Sequence, residues 1–135
     1  MMANASESSP LGPFSGQDYL NLETLRKSGV AVLTPVWFVE EIGIIYVRTE
    51  AHSGKVKRIR NNPQVRIAPC DSRGGLKGNW VAAEARLVSE AQAARINTLL
   101  VQKYGWLKRA FDIISRFRKA EPATLAILVK PAGQG

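Results

Sequence analysis

A mainly β (α+β) domain is what this 135-residue chain predicts: an antiparallel barrel of about six strands, with a short helix after the third strand and helices before the last. Three features point there. Runs rich in β-branched and aromatic residues recur between tight turns, a Ser-Gly pair followed by cations interrupts them once, and a long stretch of helical composition precedes a final apolar run. The length suits one domain with a real core and is too short for two.

Residues 1–17 combine Ser, Ala and Pro with little hydrophobic period and read as a flexible leader, leaving residues 18–135 as a single domain. Residues 19–26 fit a short strand or a helical turn, and Lys27-Ser28-Gly29 is a turn signal. Residues 30–39 (VAVLTPVWFV) read as one strong strand. Pro35 removes a ladder donor from it, so this part should lie at an edge, at a bulge or against a ligand. Residues 40–43 lead into a third strand over 44–48, and so short a loop requires antiparallel pairing. A helical segment over 55–60 ends at Asn61-Asn62-Pro63, and residues 64–69 form the fourth strand. After a glycine-rich loop at 71–78, residues 79–89 alternate as a long fifth strand. Between 90 and 119, Ile96, Leu99, Leu100, Trp106, Leu107, Phe111, Ile114 and Phe117 recur near helical spacing. Two helices meeting at Gly105 are expected, with Trp106, Phe111 and Phe117 as their core residues. Residues 124–129 close the fold as a strand.

A net charge of +8 favours anionic partners without choosing among them, and the cations gather at 55–60 and again at 103–119. The second group, Lys103, Lys108, Arg109, Arg116, Arg118 and Lys119, makes a basic amphipathic surface; membrane contact there is the lesser expectation. Nucleic acid is not expected as a partner, because no recognisable module is present and the aromatics do not interleave with Lys and Arg on one strand face. The single cysteine, Cys70, excludes an intramolecular disulfide and suits a reducing compartment. With no signal-peptide pattern and no apolar run of membrane length, a cytoplasmic location is the expectation.

The most informative stretch runs from Arg48 to Pro63, where hydroxyls, a glycine and five cations follow a strand directly. Ser53 and Gly54 stand where a helix starts, so free N–H groups and the positive end of its dipole would face a ligand, beside Lys55, Lys57, Arg58 and Arg60. From chemistry alone, a phosphate cradle and a solvated basic helix are equal readings. His52, the sole histidine, reads as a surface-loop residue, and neither a metal site nor a Ser-His-Asp arrangement has support.

Thr34-Pro-Val-Trp-Phe38, Tyr46-Val-Arg-Thr49, Ser53-Gly-Lys55 with Arg58, Asn62-Pro63, Cys70-Asp-Ser-Arg-Gly74 and Gly78-Asn-Trp80, in that order, resemble the split β-barrel flavoproteins of the pyridoxamine 5′-phosphate oxidase superfamily. The closer resemblance is to its branch of small deazaflavin (factor F-420)-dependent oxidoreductases, and it spans residues 19–130. It implies a split antiparallel barrel holding FMN or the deazaflavin coenzyme F-420. By the same resemblance Arg48, Thr49, Ser53, Lys55 and Arg58 would hold the cofactor phosphate at the helix start marked by Gly54. Thr34, Pro35, Val36 and Trp37 would line the ring, and Trp80 would approach it in a homodimer with cofactor sites at the interface. The implied activity is hydride transfer between the bound cofactor and a small organic substrate, with no catalytic side chain required. The alternative is a non-catalytic flavin or haem carrier on the same fold. The Arg- and His-bearing C-terminal segment of the oxidases that act on pyridoxamine phosphate is not found here, so that activity is not implied.

Overall fold

Alternation along the strands decides which side chains turn inward. Leu20, Leu22 and Thr24 pair with Val36, Thr34 and Val32 on one side, while Leu20 and Leu22 face Pro69 and Ile67 on the other. Carried across the sheet, that face continues through Val65, Ala83, Ala85, Leu125, Ile127, Ile45 and Val47, which form the main core. The computed structural model describes residues 11–110 and 121–130. Seven strands, β1 (Tyr19–Leu25), β2 (Ala31–Val36), β3 (Val39–Glu41), β4 (Ile44–Glu50), β5 (Gln64–Cys70), β6 (Val81–Leu87) and β7 (Pro122–Val129), form one antiparallel sheet in the order β2-β1-β5-β6-β7-β4-β3. Helix α1 (Gly54–Asn61) follows β4, and α2 (Glu90–Tyr104) follows β6. A second, smaller core of Val39, Tyr46, Ile96, Leu100 and Ala126 lies between α2 and the outward face of β3, β4 and β7.

The strand expected over residues 30–39 is two strands, and this accounts for seven in place of about six. β2 and β3 are the opposite edges of the sheet, yet only Trp37 and Phe38 separate them in the chain. The sheet must therefore curl until its edges meet, and one continuous strand could not pair with β1 and with β4 at once. Phe38 is buried at the crossing and meets Phe14 edge to face, with ring centroids 6.2 Å apart. The Tyr104 hydroxyl accepts from Phe38 N at 3.0 Å; its single proton faces two acceptors, Asp18 O at 2.8 Å and Phe38 O at 2.9 Å. One side chain thus ties the crossing to the end of α2 and to the entry of β1.

Leu11 and Phe14 fall inside the segment that reads as a leader, yet both are buried in the main core around a short 3-10 turn at Gly12–Phe14; residues 1–10 lie outside the described residues. Gly105, with φ +62, ends α2 where the sequence places a break, and residues 106–110 are helical again. The break turns that segment so that Trp106 is 74% exposed and Leu107 is exposed, whereas Lys108 is only 4% exposed. Trp106 and Leu107 are therefore not core residues, and Lys108 is not part of a solvated basic face. The expected core positions Phe111 and Phe117 lie outside the described residues. No described helix is long and apolar enough to cross a membrane.

Two changes test this frame. The β3–β4 hairpin turns on Ile42 (φ 50) and Gly43 (φ 77), a pair of left-handed residues that suits Asn-Gly and disfavours a β-branched side chain. Ile42 is 91% exposed and contributes no packing in return, so Ile42→Asn is expected to stabilise the protein by roughly 0.5–1 kcal/mol in urea denaturation. Tyr104→Phe removes the hydroxyl that the Phe38 backbone uses, and is expected to lower stability by about 1–3 kcal/mol in the same measurement.

Candidate functional site

β2 pairs only with β1, and β4 pairs with β3 only through residues 44–46. The free edge of β2 and the matching edge of β4 over residues 47–50 thus carry backbone groups without a ladder partner among the described strands. Both ends of the gap between them are bridged. Trp37 and Phe38 cross it at one end, and at the other α1 reaches from β4 to β1, where Arg58 Nε donates to Thr24 Oγ1 at 2.7 Å. The result is a cleft walled by two strand edges, with a helix start at one end.

That helix start is built by a short local code. Ser53 is the N-cap, extended at φ −67 and ψ 158, and its hydroxyl accepts from Val56 N at 3.4 Å. Val56 and Ile59, one turn apart, anchor the helix in the core, and Pro63 follows its C-cap, Asn62. Helix geometry leaves the N–H groups of Gly54 and Lys55 without an intrahelical acceptor. Arg58 folds back over them: a Cβ on Gly54 would come within 2.7 Å of Arg58 Nη1. The Lys55 ammonium is half-buried beside it, and its pKa is lowered first by desolvation and next by the Arg58 charge, against a smaller opposing pull from Glu50. None of the ion pairs among the described residues includes Lys55 or Arg58. Two crowded cations and open backbone donors make this a place where an anion lowers the energy. His52 points elsewhere, pairing with Glu121 at 2.9 Å in solvent.

Strand alternation sorts the other expected site residues into two groups. Thr34 and Val36 share the inward face of β2, with Val36 packed on the core, and Thr49 lies on the corresponding face of β4 with Val47. Pro35 and Arg48 point the other way. Arg48 donates through Nη1 to Thr124 Oγ1 at 3.0 Å, on the face of β4 opposite Thr49, so the fold does not bring it to the helix start. Pro35 sits opposite Asn21 on the outward face, under Gly74, whose positive φ of +88 and carbonyl bond from Asn21 Nδ2 at 2.8 Å seat the glycine-rich loop. That loop is stiffened by Asp71, which accepts from the N–H groups of Gly75 and Arg73, both at 2.8 Å; these bonds hold its carboxyl below the usual range. Trp80 is on the same side, with the Arg66 guanidinium 5.0 Å from its ring, and Arg66 is itself held by Glu23 in bonds of 2.7 and 2.6 Å.

Trp37 lies at the closed end of the cleft. One face of its indole is stacked on Tyr104, with centroids 4.5 Å apart and planes within 10°. Tyr104, Thr24 and the Glu23–Arg66 pair are residues that sequence reasoning missed, and Lys103, expected on a basic surface, is instead held on Phe38 O at 2.8 Å. Tyr104 is 66 positions from Phe38, and no local pattern announces such a partner. No group of three or more His, Cys, Asp or Glu able to hold a metal occurs among the described residues.

The family model described as pyridoxamine 5′-phosphate oxidase matches residues 14–133. Solved structures share the fold at low identity. A conserved hypothetical protein of Mycobacterium tuberculosis superposes with a TM-score of 0.70 at 20% identity, over 97% of this chain and 82% of its own. The haem storage protein HutZ of Vibrio cholerae gives 0.66 at 17%, over 87% and 84%. An FAD-binding protein of Mesorhizobium loti gives 0.63 at 13%, over 96% and 90%. No curated protein is similar to the chain in sequence.

The electrostatics of the helix start can be read directly. In Arg58→Ala the Lys55 pKa is expected to rise but to stay below its ordinary value, because desolvation is the larger cause and remains. Following the Lys55 side-chain resonance by NMR through an alkaline titration checks this, and an unmoved or lower midpoint contradicts the crowding of the two charges.

Proposed function

The chain belongs to the pyridoxamine 5′-phosphate oxidase family, and on that premise we propose that it is a flavin- or deazaflavin-dependent oxidoreductase, using FMN or coenzyme F-420. One observation carries the proposal: the Ser53-capped start of α1, with Lys55 and Arg58 crowded on it and no carboxylate ion-paired to either among the described residues, at the end of an open strand cleft. A cofactor phosphate suits those donors. In this reading Ser53, Gly54, Lys55 and Arg58 hold the phosphate with Thr49 beside them, and Thr34 and the free edge of β2 run along the ring toward Trp37. Trp37, held by its stack on Tyr104, marks the end of the ring's path.

The cofactor, once bound, supplies the hydride chemistry. What the protein supplies is position, an anion-stabilising end and a floor of core side chains that excludes water from one side. Pro35, Trp80, Arg66 and the glycine-rich loop belong to the outward face, and there a second copy of the chain would meet the site in a homodimer. The carrier alternative rests on the fold shared with a haem storage protein. The absorption spectrum of the protein as isolated separates flavin, deazaflavin and haem.

Titration calorimetry with FMN and with the deazaflavin is the decisive test. Lys55→Ala and Arg58→Ala are each expected to weaken binding by roughly 1.5–3 kcal/mol, the worth of a charge-assisted hydrogen bond, while Arg109→Ala leaves it unchanged. Unaltered affinity for both cofactors in both variants would overturn the assignment.

A further inference from the structure

On the α2 side of β3 lies a groove of about 340 Å³ lined by Val39, Glu40, Leu99, Gln102 and Lys103. Its apolar part is firm, since Val39 is buried in the smaller core and Leu99 packs against that core. Its cationic part is Lys103. The ammonium donates to Phe38 O at 2.8 Å, stands 3.7 Å from the centre of the Phe38 ring and lies 5.1 Å from that of Tyr104. A lysine of this length is ordinarily a mobile, fully hydrated point charge. Here the head group is pinned and partly stripped of water, yet none of the ion pairs among the described residues neutralises it. One of its three N–H groups goes to the carbonyl, and the aromatic face offers no lone pair to the rest.

We infer that this groove binds a small organic monoanion, a carboxylate or sulfonate on an apolar body, with the anionic end on Lys103 Nζ and the body against Val39 and Leu99. The cation's ordering cost is met before the ligand arrives, because Phe38 already holds the side chain. The Gln102 amide is a second donor within the lining, and the Glu40 carboxylate at the same groove disfavours a second negative charge on the ligand. None of this depends on the nature of the cofactor.

The inference carries a pH signature with a definite sign. Desolvation brings the Lys103 pKa down to about 8, against a raising effect from Asp18. The other titratable groups around the ammonium are Glu40 on β3 and Tyr104 on α2; burial raises the Tyr104 pKa, so its phenol keeps its proton through this range. Affinity for a permanently ionised sulfonate is therefore expected to be full below about pH 8 and to fall as the pH climbs past it.

The probe is 8-anilinonaphthalene-1-sulfonate, added to the full chain and followed by fluorescence. Saturable single-site binding is expected, weakened roughly ten- to hundredfold by Lys103→Met, which keeps the apolar stem and removes the charge. Leu99→Glu, one turn before Lys103 on α2, is expected to weaken it comparably, and Lys57→Met on α1 to leave it alone. Circular dichroism on each variant separates loss of the site from loss of the fold. Non-saturable binding to the wild type, unchanged affinity in folded Lys103→Met, or an equal loss in Lys57→Met would each overturn the inference.

Discussion

The fold turns on a two-residue crossing. A seven-stranded antiparallel sheet has two edges, and in this chain they are consecutive strands joined by Trp37 and Phe38. Such a connection holds only if the sheet curls far enough to bring its edges together, which opens backbone hydrogen-bonding groups along both. Phe38 answers the demand with its ring in the core and both backbone groups on one hydroxyl, that of Tyr104. The barrel is held shut at this point by a side chain from α2, and the gap left farther along the edges is the cleft.

The other end of the cleft is governed by electrostatics. α1 needs Ser53 as its cap and Val56 and Ile59 as its anchors; those three account for the helix. Lys55 adds nothing to it that a neutral residue could not, and its pKa is lowered by desolvation and then by the charge of Arg58, whose Nε is engaged with Thr24 Oγ1. Like charges half-buried together oppose folding to a modest degree. A structural role alone would have favoured an acidic residue in that first turn, where the helix dipole rewards one, and none is present. The sequence therefore carries an electrostatic conflict of the kind that a bound anion would resolve, and the proposed phosphate site rests on it.

Much of this was legible in the sequence because it is local. Ser53, Gly54 and Pro63 mark the two ends of α1 by short-range hydrogen bonding and ring geometry, Pro35 marks an edge strand by its missing donor, and Gly105 marks the end of α2 by its positive φ. What escaped reading depends on closure. Nothing in VAVLTPVWFV says that its first part pairs with β1 and its last residue with β4, since both halves are equally good β sequence. Trp106 follows helical spacing and is nonetheless exposed, because Gly105 redirects the axis on which that spacing was counted. Tyr104 and Arg58 find their partners, Phe38 and Thr24, only after the sheet has curled.

Alternation on β2 has a further consequence for the candidate site. Four neighbouring residues, Thr34 to Trp37, look like one wall in sequence, but the pleat sends Thr34 and Val36 inward, Pro35 outward, and Trp37 onto Tyr104 beyond the strand end. A planar ligand lying along this edge would meet mainly backbone, because Val36 is spent on the core and Pro35 on the contact with Gly74. Backbone contact is tolerant of side-chain identity, so on the proposed reading the edge of β2 constrains the sequence little. On the proposed reading, discrimination between ligands would come from the ends of the cleft, from the paired cations at α1 and the aromatic and cationic residues around Phe38, where side chains rather than the ladder set the chemistry.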